Sequence, residues 1–296
     1  MKADQRKEQK MKSIQDCFEL NNGVKIPCVG FGTYKAAQGK TAEVIRTAID
    51  AGYRYFDTAS FYGTEPYLCE AVKDSGIPRE EFFITSKVWK TEMGYERTKE
   101  AFEATLERLG TDYLDLYLIH WPLPEPGYED WKALDLETWR ALEEFYKEGR
   151  VRAIGLSNFL PHHIENILQN CEIRPAVDQI EFHPGYSQEA ALRYCREKEI
   201  LVQGWSPLGR MRVSKEPLIL ELAEKHGVSA AQICLRYALQ RNVIPLPKSS
   251  SIERMKQNQE LFGFEISGED MYRLETMPQT GWSGEHPDRE RVYFDQ

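Results

Sequence analysis

The chain has 296 residues, 41% of them hydrophobic, with a formal net charge of −9 and a pI near 5.4. That length buries a large core as one α/β barrel or as two smaller domains, and the acidic balance argues against broad binding to nucleic acid or an acidic membrane, both of which need a basic face. Six scattered cysteines, Cys17, Cys28, Cys69, Cys171, Cys195 and Cys234, lack the short paired spacings of zinc or redox motifs and point to a reducing compartment.

In chain order, residues 1–13 are polar, carry no secretory hydrophobic segment and read as a disordered tail ahead of one domain over residues 14–296. No apolar stretch approaches the roughly 18 residues of a membrane span, so a cytoplasmic protein is expected, a monomer or weak dimer. Cys17 to Leu20 and Val24 to Pro27 flank Asn21-Asn22-Gly23, where Asn-Gly supplies the positive φ of a tight hairpin. From Val29 onward, short apolar runs alternate with segments of helical period, the pattern of βαβ units.

The runs predict strands at Val29 to Phe31, Tyr53 to Asp57, Phe82 to Lys87, Leu114 to His120, Ala153 to Leu156, Ala176 to Ile180, Leu201 to Gly204 and Val243 to Leu246. Helices are predicted at Thr41 to Ala51, Glu65 to Ser75, Tyr95 to Leu109, Asp135 to Glu148, His162 to Gln169, Gln188 to Lys198, Leu218 to His226 with Ser229 to Gln240, and Ile252 to Gln259. Eight strands with helical connections close into a single (β/α)8 TIM barrel, opened by the hairpin and ended by a short C-terminal tail. The stretch Trp121 to Leu134, with Pro122, Pro124 and Pro126, is a candidate wall of the mouth; Trp282 in the tail either folds over that mouth or packs on the shell.

Four side chains that can move protons fall at or near predicted strand ends: Asp57 and Tyr62 in Tyr55-Phe-Asp-Thr-Ala-Ser-Phe-Tyr62, Lys87 in Ile84-Thr-Ser-Lys87, and His120 in Tyr117-Leu-Ile-His120-Trp-Pro122. The carboxyl ends of barrel strands share one face, so such residues can meet. A lysine and a histidine inside apolar runs are unusual, because burying charge without a partner is costly. Alone, each residue would more often be structural; together, and in these motifs, they resemble the aldo-keto reductase family over about Phe18 to Asp288. The compact length is similar to that of its prostaglandin-F-synthase-like and 2,5-diketogluconate-reductase-like members.

The resemblance implies reduction of an aldehyde or ketone by a nicotinamide cofactor, with Asp57, Tyr62, Lys87 and His120 as the catalytic tetrad. Tyr62 would be the proton donor and His120 would orient the carbonyl, while Asp57 would hold Lys87 charged. A unit charge about 4 Å from the phenol, at an effective dielectric of about 20, is worth roughly 4 kcal/mol, so Lys87 is expected to lower the pKa of Tyr62 by at most about three units.

The segment Gly30-Phe-Gly32-Thr-Tyr-Lys35 begins like a dinucleotide fingerprint, but Lys35 replaces the last glycine and the Rossmann reading fails. The resemblance instead places Gly32, Thr33 and Tyr34, with Asp57, beside the nicotinamide and substrate. It gives Ser157, Asn158 and Gln179 to the carboxamide, and Trp205, followed by Ser206 and Leu208, to stacking on the ring. In Lys248-Ser249-Ser250-Ser-Ile-Glu-Arg254, the basic residues and serines would grip an adenosine 2′-phosphate, hence NADPH, and Gln257 and Asn258 would face adenine. Gln257 stands where many relatives carry Glu.

Tyr34, Phe61, Trp89 and Trp121 are the expected aromatic pocket for a small carbonyl substrate. A non-catalytic binding protein on the same scaffold and a metal-dependent barrel hydrolase are the competing readings. No metal is expected, because no His-x-His or similar ligand cluster marks a strand end.

Overall fold

Gly23 takes φ 83°, and the turn it permits is closed by Leu20 N–H to Val24 O and Gly23 N–H to Leu20 O, each 2.9 Å. The flanking segments pair antiparallel as β1 (Cys17–Glu19) and β2 (Lys25–Pro27), opposing Phe18 to Ile26. The turn docks across one end of a barrel: Asn21 Nδ2 donates to Pro175 O and Asn22 Nδ2 to Arg152 O, at 2.8 and 3.0 Å.

The computed structural model describes residues 11–36 and 41–294; the first ten residues of the expected tail lie outside the described residues. Met11 to Ser13, assigned to that tail, are placed. Met11 is buried against the core, and Asp16 Oδ2 accepts from Lys12 N and Ser13 N at 2.5 and 3.1 Å.

Eight parallel strands follow: β3 (Phe31–Gly32), β4 (Tyr55–Asp57), β5 (Phe83–Val88), β6 (Leu114–Ile119), β7 (Val151–Ser157), β8 (Val177–Glu181), β9 (Leu201–Trp205) and β10 (Val243–Pro245). Each pairs with its sequence neighbour, and the order runs unbroken from β3 to β10. The seam is joined by Gly30 N–H to Pro245 O and Gly32 N–H to Pro247 O, at 3.2 and 3.0 Å. The prolines lack N–H groups but here need only accept. A Cβ on Gly30 would sit 2.6 Å from Leu246 Cδ2 and from Tyr55 Cδ1, so the close approach requires glycine. The architecture is the expected (β/α)8 barrel.

Ten α-helices are described: α1 (Thr41–Asp50), α2 (Glu65–Ser75), α3 (Tyr95–Leu109), α4 (Trp131–Lys147), α5 (Pro161–Leu168), α6 (Glu189–Glu197), α7 (Pro217–His226), α8 (Ala230–Gln240), α9 (Ile252–Gln257) and α10 (Gly268–Thr276). In α3 the buried positions Thr98, Ala101, Phe102, Thr105, Leu106 and Leu109 recur at helical spacing, and Gly110 at φ 60° ends it by donating to Leu106 O and Glu107 O. One apolar cluster runs from Met11 to Leu274.

Two differences from the sequence reading have local causes. Helix α4 starts at Trp131 rather than Asp135, and Trp131 packs edge-on against His163 with ring centroids 4.8 Å apart. Helix α10 was not anticipated. Its face is short and polar, but Ser267 Oγ caps it by accepting from Asp270 N at 3.1 Å, and Leu274 is buried beneath it.

Candidate active site at the carboxyl ends of the strands

Strand β4 ends at Asp57, β5 carries Lys87 one residue from its end, and His120 follows β6 directly. Tyr62 comes from a short 3-10 turn, Ser60–Tyr62, closed by Gly63 at φ 65°. All four meet. Lys87 Nζ lies 2.7 Å from Asp57 Oδ1, 2.8 Å from Thr58 O and 3.4 Å from Tyr62 Oη. An ammonium has three hydrogens, and these three acceptors use them all. Tyr62 Oη is in turn 3.5 Å from His120 Nε2.

Burial governs the protonation of this group. It pulls the wholly buried Lys87 ammonium below its ordinary range, against the opposing pull of Asp57. It also holds His120 well below the usual imidazole value, helped by the charges of Lys87 and Lys90, so His120 is neutral at pH 7. The expected lowering at Tyr62 does not appear: desolvation pushes the phenol well above 10, with Asp57 adding to the rise. Removing water from the phenolate outweighs the attraction of an ammonium whose charge Asp57 partly balances.

A second layer of polar residues holds the four in place. Behind Asp57, Thr33 Oγ1 donates to its backbone oxygen at 3.0 Å, and Thr64 bridges Thr33 and Thr58 at 2.8 Å each. Thr33 is thus wholly buried behind the site, whereas its neighbour Tyr34 is exposed and packs on Tyr62 at 4.9 Å between centroids. The 3-10 turn is tied by Ser60 Oγ to Glu92 Oε2 at 2.7 Å, and the same carboxylate takes Trp89 N–H at 2.7 Å.

Across the mouth, Asp57 Oδ2 accepts from Gln179 Nε2 at 2.7 Å. Asn158 Nδ2 donates to His120 O and to Ser157 Oγ, its Oδ1 accepts from Trp205 Nε1 at 2.8 Å, and Ser157 Oγ donates to Gln179 O. Ser157, Asn158, Gln179 and Trp205, far apart in sequence, therefore form one network. Ser206 at φ 48° turns the chain after β9, and its oxygen accepts from Gly209 N at 2.8 Å; Leu208 lies within that turn.

The aromatic wall forms on the same face. Phe61 stacks on Trp89 with centroids 3.9 Å apart, Trp89 stands edge-on to His120 at 4.9 Å, and Lys90 Nζ lies 4.9 Å over Trp121. The C-terminal tail crosses this mouth. Ser283 N and Oγ donate to the buried carboxylate of Glu181, at 2.9 and 2.7 Å, and His286 and Pro287 share a small cleft with Trp121, Asn158 and Trp205. Trp282 stacks on Tyr186 at 6.1 Å.

Farther along, Asp288 Oδ1 lies 2.9 Å from His163 Nε2, and its Oδ2 lies 3.4 Å from His162 Nε2. Their ligand-type atoms fall within 4.8 Å of one another. His163 Nδ1, however, accepts from Leu160 N at 3.1 Å, so the neutral ring carries its proton on Nε2, where a metal would need a free lone pair.

Beyond β10, Lys248 and Arg254 are exposed, and among the described residues neither has an ion-pair partner within 4 Å. Ser249 Oγ accepts from Ser251 N at 3.2 Å, Ser250 and Gln257 are exposed, and Asn258 is buried with its N–H on Arg254 O. Gly32, at the seam, is joined to this loop through Pro247 O.

Sequence reading missed Tyr55, Thr58, Glu92, Glu181, Gln203 and Ser283. A signal existed for two of them: Glu181 and Gln203 interrupt apolar strands, and a polar side chain there needs a buried partner.

Residues 29–278 match the model of the aldo/keto reductase family. Glyoxal reductase of Bacillus subtilis is 45% identical over 277 residues, 93% of this chain and 98% of the relative. An aldo/keto reductase structure from Brucella melitensis superposes with a TM-score of 0.82 at 39% identity, covering 88% of this chain and 98% of that one. A Bombyx mori aldo-keto reductase in complex with NADP superposes with a TM-score of 0.80 at 34% identity, covering 88% and 91%. With the family model matching most of its length and these relatives in agreement, the chain belongs to the aldo/keto reductase family of oxidoreductases.

Proposed function

We propose that this aldo/keto reductase reduces aldehydes and ketones to alcohols with NADPH, and that Tyr62 delivers the proton. One observation carries the reading: the buried Lys87 ammonium spends two hydrogens on Asp57 and Thr58 and directs its third at Tyr62 Oη, 3.4 Å away. Tyr62 stays protonated at neutral pH because burial holds its pKa high, so it is armed as a donor. An alkoxide is a stronger base than a phenolate, and the transfer runs downhill. Lys87 then stabilises the phenolate as its charge develops, and neutral His120 offers a ring N–H to the carbonyl oxygen. Asp57 keeps Lys87 in register.

The residues present fit a nicotinamide dinucleotide. When bound, it supplies a hydride from C4 of its ring. Trp205 offers a partly buried ring, pinned through Nε1, for stacking, and the Oε1 of Gln179 engages no described residue and is left to accept. Ser157 and Asn158 would hold the carboxamide, with Gly32, Tyr34, Ser206 and Leu208 beside the dinucleotide. Lys248 and Arg254, flanking Ser249 and Ser250, suit the 2′-phosphate, with Gln257 and Asn258 toward adenine. The relative solved with NADP supports this reading.

The wall of Tyr34, Phe61, Trp89 and Trp121 favours moderately apolar aldehydes, ketones and dicarbonyls, consistent with the activity named for the Bacillus relative. A panel of carbonyl compounds with NADPH and with NADH, followed by absorbance of the reduced ring, tests enzyme class, cofactor and substrate together. Absence of turnover with every dicarbonyl and aromatic aldehyde would overturn the reading in favour of a binding protein.

A further inference from the structure

Beneath the tetrad, Gln203 on β9 and Tyr55 on β4 are wholly buried yet polar. Gln203 Oε1 accepts from Gln179 Nε2 at 3.0 Å, and Gln203 Nε2 donates to Tyr55 Oη at 2.7 Å; Thr85 Oγ1 also donates to Tyr55 Oη, at 3.2 Å. The direction of the glutamine bonds follows from one fact. The Asp57 carboxylate, paired with Lys87, can only accept, so Gln179 must present its NH2 group to it. The second hydrogen of that NH2 goes to Gln203 Oε1. Gln203 must then turn its own NH2 toward Tyr55.

The terminal torsion of a glutamine is soft, and one hydrogen bond leaves the amide free to swing about it. Two bonds from the same nitrogen, to Asp57 and to Gln203, fix the plane. We propose that Gln203 is a positioning residue: held by Tyr55, it locks the amide plane of Gln179 and so aims the free Gln179 Oε1 at the carboxamide NH2 of the bound nicotinamide. This deepens the functional reading above and rests on it. Gln203 itself touches neither cofactor nor substrate; it acts through Gln179.

The test uses Gln203→Met, which keeps length and removes both bonds, with Tyr55→Phe as a second variant that removes only the far anchor. Three ligands are titrated: NADP+, its acetylpyridine analogue, whose acetyl group has no NH2 to donate, and adenosine 2′,5′-bisphosphate, which has no nicotinamide. Loss of about one neutral hydrogen bond predicts about 5- to 10-fold weaker NADP+ binding by Gln203→Met and about 2- to 3-fold by Tyr55→Phe. The analogue and the bisphosphate should bind each variant as tightly as the parent protein.

Equal weakening of all three ligands would mean that Gln203 merely supports the barrel, and unchanged NADP+ affinity would mean that Gln179 needs no second anchor; either overturns the proposal. If Gln203→Met does not fold, Tyr55→Phe decides by the same criteria. Failure of the parent protein itself to bind NADP+ would instead sink the functional reading.

Discussion

Replacing Lys87 by Met separates what the ammonium does for chemistry from what it does for folding. At 3.4 Å, a unit positive charge and a phenolate on Tyr62 attract by about 5 kcal/mol at an effective dielectric of about 20. Asp57, 2.7 Å from the ammonium, cancels part of that field; if half survives, about 2.5 kcal/mol is lost from the transition state, or about 50- to 100-fold in kcat. The substitution also leaves Asp57 buried without its cation, which costs about 3–5 kcal/mol of stability.

Steady-state turnover of an aromatic aldehyde at saturating NADPH, with cofactor affinity measured by quenching of tryptophan fluorescence, gives the first quantity; urea denaturation gives the second. Adding Asp57→Asn to Lys87→Met should restore much of the stability and none of the turnover. A folded Lys87→Met protein that keeps kcat within about fivefold of the parent would refute the electrostatic argument.

Tyr62→Phe should lower kcat by about 100-fold or more with little change in NADPH affinity, since a general acid contributes about two to four orders of magnitude; near-normal reduction would remove Tyr62 from the donor role. Arg254→Ala should raise KM for NADPH about tenfold and KM for NADH less than twofold, and equal effects in initial-rate measurements would contradict 2′-phosphate recognition. His163 gives a pH prediction. Burial and the nearby His162 hold it down to about 4, so the unfolded chain binds more protons than the folded one between that value and about 6.5. Its contribution is present above about pH 6.5 and fades as the pH falls toward 4, amounting to about 2 kcal/mol lost near pH 5. Urea titrations of the parent and of His163→Gln at neutral pH and near pH 5 should differ by that amount in their pH dependence; parallel curves would remove His163 as the source.

The barrel was legible because parallel strands buried on both faces read as unbroken apolar runs, and these were separated by segments of helical period. The boundaries were less so. Trp131 belongs to α4 because it packs on His163, thirty-two positions away in the chain, and no local signal carries that contact. Helix α10 hid behind Gly268 and a polar face, although its Ser267 cap was in plain sight. Placement at strand ends and resemblance brought Asp57, Tyr62, Lys87 and His120 to attention. What escaped was the support beneath them, because the meaning of Gln203 depends on Tyr55, 148 positions distant, across the barrel interior. The sign of the Tyr62 shift escaped too, since sequence reveals the neighbouring charge but not the water removed from around the phenol.

The glycine seam has a consequence for how the molecule is made. Gly30 and Gly32 leave the ribosome early, but their partners Pro245 and Pro247 arrive more than two hundred residues later. Until then the first strand of the ring has one open flank, whose unpaired N–H groups invite association with other chains. Synthesis halted anywhere before Pro245 should therefore yield a sticky, aggregation-prone arc of strands, and the last steps of maturation should be slow ones governed by the meeting of distant ends.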